Sequence, residues 1–191
     1  MSKLSASFNT AFNLAFNICA KPFHMAWRIF VFLFFSANIH AMPAQDIRCQ
    51  LKIDTHIKLG SPAILHFTLH NTSEKALRVL KWHTPFEGWM NNFLILSYNG
   101  QALPYQGAMV KRGVPNLDDY LVLAAHEKQT AEIELKLAYE LKRAGRYHLQ
   151  YSSKLFDVMD EKHLIKPTWE TMKAQELDCS ALDFELISVK P

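Results

Sequence analysis

Two histidines four residues apart are the first pattern to weigh as chemistry. On a helix, His66 and His70 would share a face and could hold a metal ion. Their surroundings alternate apolar and polar instead, from Ala63 through Leu65, Phe67 and Leu69. On a strand that spacing separates the two rings by about 13 Å, too far for one ion, so both are read as solvent-facing. Ser97, His126 and Asp118 make a nucleophilic triad on paper, but no Gly-x-Ser-x-Gly turn supports a nucleophile. No glycine-rich phosphate loop is present, and Asp160-Glu161-Lys162-His163 lacks the second histidine of a His-Glu-x-x-His zinc site. The expectation is no catalytic residue, no metal site and no cofactor.

The binding candidates are aromatic and basic. Residues 82–90 gather Trp82, His83, Phe86, Trp89 and Met90 around Pro85 and Gly88. Loops on a rigid scaffold commonly carry binding, and aromatic side chains are frequent hot spots. Trp82, Phe86 and Trp89 are therefore expected as exposed contacts, and Lys111 and Arg112 as a basic turn in a docking surface. The competing reading makes residues 82–90 an aromatic plug for one end of the fold and residues 111–113 a solvated loop.

The elements that must position these residues read as strands. Period-two alternation runs through residues 47–53, 63–70, 131–137 and 147–151, and shorter apolar stretches lie at 77–81, 93–97, 120–123 and 182–188. Asn71-Thr72-Ser73 breaks one run, and Asn99-Gly100 is a strong hairpin signal. About eight short strands separated by turns imply an all-β, antiparallel β-sandwich. Residues 138–142 suggest a single helical turn. Residues 157–177 lack alternation, and a short helix is expected there from Pro167, with Thr168 as its N-cap.

The first 41 residues differ from the rest. They hold eight of the 13 phenylalanines, with Lys3, Lys21 and Arg28 and no Asp or Glu. Arg28 precedes the apolar run 29–35, and Ala41 ends a small-residue stretch, the parts of a secretory signal. Residues 1–41 are thus expected to be a cleaved signal peptide, with Ala44 as a second cleavage position. Met25 would begin a complete signal by itself and is the expected true start. The alternative is an uncleaved anchor over residues 23–39, although the run falls short of the roughly 20 residues needed to span a bilayer. Removing the three leader cations from 21 Lys and Arg leaves 18 against 18 Asp and Glu. A neutral domain has no general pull on phosphate backbones, so no nucleic-acid partner is expected.

Cleavage would remove Cys19 and leave Cys49 and Cys179 near the two ends of a domain spanning residues 45–191. In an oxidising compartment two such thiols usually pair. The alternative is two unpaired buried cysteines.

Ala144-Gly145-Arg146-Tyr147 resembles the strand entry of immunoglobulin-like domains, where the tyrosine hydroxyl caps a carbonyl just upstream. Residues 80–88, then Leu103-Pro104-Tyr105-Gln106-Gly107, Lys111-Arg112-Gly113-Val114-Pro115 and Asp119-Tyr120 resemble a further family. Their order and spacing are similar to the N-terminal immunoglobulin-like β-sandwich domain of secreted deuterolysin, or peptidyl-Lys metalloendopeptidase-type, proteins. The resemblance covers residues 60–152 and implies a module without the catalytic domain. The sequence reading is therefore a secreted or periplasmic, non-catalytic protein-binding module. Its expected partner is another protein, a peptidase first, which it would serve as accessory or inhibitor domain. A hydrolytic enzyme with an unrecognised site and an envelope structural protein are the competing readings.

Overall fold

The computed structural model describes residues 46–162 and 167–188; the expected signal peptide and Met25 lie outside the described residues. The strands are β1 (Ile47–Lys52), β2 (His56–Lys58), β3 (Ile64–Asn71), β4 (Leu77–Leu80), β5 (Leu94–Tyr98) and β6 (Gln101–Ala102). Then come β7 (Tyr120–Leu123), β8 (Lys128–Glu134), β9 (Gly145–Tyr151), β10 (Val158–Asp160) and β11 (Leu182–Ile187). They form sheets ordered β1-β3-β8, β10-β4-β7 and β2-β11-β9-β5-β6.

The alternation in the sequence sets which faces meet. Leu65, Phe67 and Leu69 of β3 are fully buried, as are Leu96 of β5 and Leu149 of β9. The Phe67 and Tyr151 rings lie 5.4 Å apart, so β3 and β9 pack face to face across one core. This is an immunoglobulin-like β-sandwich, antiparallel except where β11 also pairs with β2 in parallel. A second small core of Leu80, Trp82 and Tyr120 sits against Phe156, Met159 and Met172 beside the β10-β4-β7 sheet.

Local chemistry fixes the connections. Cys49 of β1 is disulfide-bonded to Cys179, which precedes β11, with Cα atoms 4.9 Å apart. The Tyr147 hydroxyl donates to the Arg143 carbonyl at 2.8 Å, the immunoglobulin-like corner that the sequence implies. Asn99 (φ 49°) and Gly100 (φ 81°) both take positive φ between β5 and β6, the requirement of the tightest hairpin turn. Fully buried Asn71 donates its side-chain amide to the carbonyls of Lys75, Leu123 and Ala124, stitching the end of β3 to the β7–β8 turn.

Three expectations change. Alternation predicts strand through Leu137, but β8 ends at Glu134, whose carboxylate accepts from the Ala63 and Lys136 amides and turns the chain into a short 3-10 segment, Leu135–Leu137. The helical turn therefore comes before residues 138–142. The expected helix after Pro167 is reduced to one turn. Thr168 caps it by accepting from the Thr171 amide, and Met172 N–H reaches the Thr168 carbonyl at 3.1 Å. The chain then leaves that turn because Gln175 pairs with Leu155.

Candidate interaction surface

The aromatic segment folds inward. Thr84, fully buried, caps the 3-10 turn Pro85–Glu87 by accepting from the Phe86 amide. Trp82 is buried, only 6% exposed, in the second small core, with the Arg112 guanidinium 5.3 Å over its ring. Phe86 is half-buried, edge-on to Phe67 at 5.8 Å. Trp89 is half-buried too. It stacks on Phe93 at 5.0 Å, meets Tyr139 and Tyr105, and donates its indole N–H to the Glu134 carbonyl at 2.9 Å. The exposure expected of Trp82, Phe86 and Trp89 is thus not found. Burying rings of this size recovers more folding energy than leaving them in water, and neighbouring strands offer them ring faces and a carbonyl.

Arg112 is likewise a structural anchor. It pairs with Glu87, whose side chain is only 7% exposed. Glu87 also accepts from the His83 amide at 2.7 Å. Burial pushes the Glu87 carboxyl up from the ordinary range, while the His83 amide and Arg112 pull it down. His83 takes an unusual positive φ of 59°. It is held there by the Glu87 contact, by Tyr151 donating to its carbonyl, and by its ring against Phe156. Burial, then Arg112, lowers the His83 imidazole below its usual range. Of the five contacts expected from sequence, Lys111 alone is exposed.

What these anchors hold up is the connection between β6 and β7. Residues 103–116 have no regular structure, a length that in compact domains usually signals function or disorder. This segment is ordered by its contacts. Gln106 N–H reaches the Ala138 carbonyl at 2.8 Å, and the Tyr105 hydroxyl donates to the Ala108 carbonyl at 2.9 Å. Gly107 lies so close to the Tyr105 ring that a Cβ there would stand 2.4 Å from the hydroxyl oxygen. Val110 N–H bonds the Met90 carbonyl at 3.0 Å, Arg112 is clamped to Glu87, and a capping box at Asn116 and Asp119 closes the far end. On this braced segment Met109 is 74% exposed, and Val110, Val114, Leu117 and the neighbouring Met90 also face solvent. The sequence signal was available: Met109 and Val110 are apolar where no strand alternation gives them a core to face.

His66 lies 3.2 Å from Glu132 on the outer face of β3 and β8. Ser97, His126 and Asp118 do not come together: Ser97 pairs across to His148, His126 bonds Glu74, and Asp118 lies in the capped turn before β7. A groove of about 380 Å³ is lined by Asn99, Gly100, Arg146, His148 and Asp183. It contains a His148–Asp183 contact of 2.9 Å and no hydroxyl or thiol side chain. Among the described residues no cluster of His, Cys, Asp and Glu could hold a metal ion, and no helix is long and apolar enough to cross a membrane.

Fold and surface together define a disulfide-tied, all-β module that displays an apolar loop. No protein-family model matches the chain. It is 34% identical over 87 residues, 46% of its length, to an extracellular protease of Aeromonas hydrophila, and spans about a quarter (25%) of that protein. Among solved structures, the CARDB domain of a Pyrococcus furiosus protein in complex with di-metal ions is 11% identical with a TM-score of 0.33, covering 76% of this chain and 94% of its own. A Pseudomonas fluorescens alkylpurine DNA glycosylase bound to DNA gives 15% and 0.30, covering 74% of this chain and 30% of its own. Scores this low carry no weight, and the fold assignment rests on the chain's own sheets and corner.

Proposed function

We propose that this chain is an extracellular, non-catalytic module that binds another protein through residues 109–117. A secreted peptidase of the deuterolysin type is the first partner to test, with the module acting as its accessory or inhibitor. The observation that carries the reading is the apolar tip of Met109, Val110, Val114 and Leu117 on a loop fixed at both shoulders. Loops that expose apolar side chains without order lose entropy on binding; a braced loop has already done so. The likeness to part of an extracellular protease supports the location. The disulfide fits an oxidising compartment.

The test is immobilised-ligand binding and casein hydrolysis with the Aeromonas extracellular protease as probe. Binding is expected for the parent and loss for Val110→Ser/Val114→Ser, with both proteins melting at the same temperature. Equal binding by the two proteins would refute residues 109–117 as the contact, and absence of binding by the parent would refute the peptidase.

A further inference from the structure

The outer face of the β1-β3-β8 sheet carries a row of basic side chains. Strand register places Arg48 opposite His70 and His70 opposite Lys128, so three basic side chains form one row across three neighbouring strands. Side chains opposite one another in adjacent strands stand about 5 Å apart, where like charges destabilise the sheet. The next row is Gln50, Thr68 and Thr130, and Thr68 and Thr130 share a hydroxyl hydrogen bond of 2.7 Å. The third row is Lys52, His66 and Glu132, where a carboxylate faces the histidine.

The first row has no such compensation. No carboxylate is paired with Arg48, His70 or Lys128 among the described residues. Glu127, beside Lys128 in the chain, is engaged by the Ala124 amide and the Gln129 side chain. Residues 1–45 contain no Asp or Glu that could be brought to the row. A shallow groove of about 250 Å³ lies over it, lined by Arg48, Cys49, Gln50, Thr68, His70 and Lys128, with no acid among them. Charge-bearing donors flank one side and neutral hydroxyl and amide donors the other, a set matched to an oxyanion with several acceptor oxygens.

We infer that this groove binds a phosphate or sulfate group, with Arg48 and Lys128 as its charge partners and Gln50, Thr68 and His70 as further donors. The groove stands on β1, β3 and β8 and is independent of residues 109–117 and of their proposed partner. Two sources share this chemistry: a free or sugar-borne phosphate, and the headgroup of an anionic lipid.

The experiment is a backbone-amide NMR titration of the residue 45–191 domain and its Arg48→Gln/Lys128→Gln variant with inorganic phosphate, then with sulfate. Co-sedimentation with phosphatidic acid vesicles, against neutral phosphatidylcholine vesicles, follows. Saturable shifts confined to Arg48, Gln50, Thr68, His70 and Lys128 are expected for the parent. The variant should bind at least about tenfold more weakly, and Lys52→Gln, two rows removed, should bind as the parent does. Without anion the double variant should melt at or above the parent's temperature, and added phosphate should raise only the parent's. Sedimentation with the anionic vesicles alone, lost in the variant, assigns the lipid source; phosphate shifts without sedimentation assign the soluble one. Absence of saturable shifts and of sedimentation, or equal weakening by Lys52→Gln, would overturn the inference.

Discussion

Replacing Arg112 by Gln removes the charge that faces a nearly buried carboxylate. Glu87 is 7% exposed and the Arg112 side chain 23%. Taking one partner from a buried pair typically costs 3–5 kcal/mol, and the partial exposure of Arg112 places this case near the lower end, about 3 kcal/mol at neutral pH. The cation over the Trp82 ring accounts for up to about 1 kcal/mol of that. The cost should depend on pH in a definite direction. Burial already raises the Glu87 carboxyl, and Arg112 is one of the groups pulling it down, so the variant's carboxyl rises further. Between the ordinary carboxylate value and the raised folded value, the folded state keeps a proton that the unfolded state releases. Stability therefore falls as pH rises through that window. Urea unfolding of parent and variant at about pH 5 and about pH 8 gives the comparison, with a midpoint shift of about 1–2 M expected at the higher pH and clearly less at the lower. A variant destabilised equally at both pH values would refute the coupling, and one within about 0.5 kcal/mol of the parent would refute the brace. Glu87→Gln/Arg112→Gln should remove most of the pH dependence, since no charge is then left to bury.

Trp89→Ala should cost about 2–4 kcal/mol, because it removes a ring stacked on Phe93 and a donor to the Glu134 carbonyl; a variant that melts with the parent would make Trp89 a mere surface ring. Tyr147→Phe should cost about 1–3 kcal/mol, read from the urea midpoint, by leaving the Arg143 carbonyl without its donor. Reducing the Cys49–Cys179 bond, which spans 130 residues of sequence, should lower stability by about 4–5 kcal/mol on the chain-entropy account, measured as the difference between oxidised and reduced unfolding curves. Gly107→Val should loosen the β6–β7 connection, seen as faster amide exchange at Val110, because its side chain collides with the Tyr105 ring.

The longer strands were legible because one face of each is buried, and burial imposes the period of two that β1, β3 and β9 show. Short strands such as β2 and β10 were not. β2 has three residues, too few for alternation to register, and its partner β11 lies at the far end of the sequence. β10 reads as a charged stretch because Asp160 belongs to an ion pair with Lys75 and Val158 and Met159 are only half-buried. The facing of the aromatic segment was not legible for a related reason. Composition identified residues 82–90 as aromatic, but not which way the rings would face. That depends on two side-chain caps, Thr84 on the Phe86 amide and Glu87 on the His83 amide, and on Tyr151, which donates to the His83 carbonyl from 68 residues away. Exposed apolar Met109 and Val110 looked ordinary beside the tryptophans, yet they are the ones left facing water.

The pairing of β2 with β11 has a consequence for the order of events during synthesis. Ile57 meets Leu186, so a strand made early waits for one made much later, and the disulfide joins the same two regions. Loops that long must close before their contacts reward them, which slows folding of a sheet built this way. A chain emerging from a ribosome, or threaded N-terminus first through a narrow pore, cannot complete its five-stranded sheet en route. Its native state assembles only after residue 187 is free, on whichever side of the barrier the chain is then released.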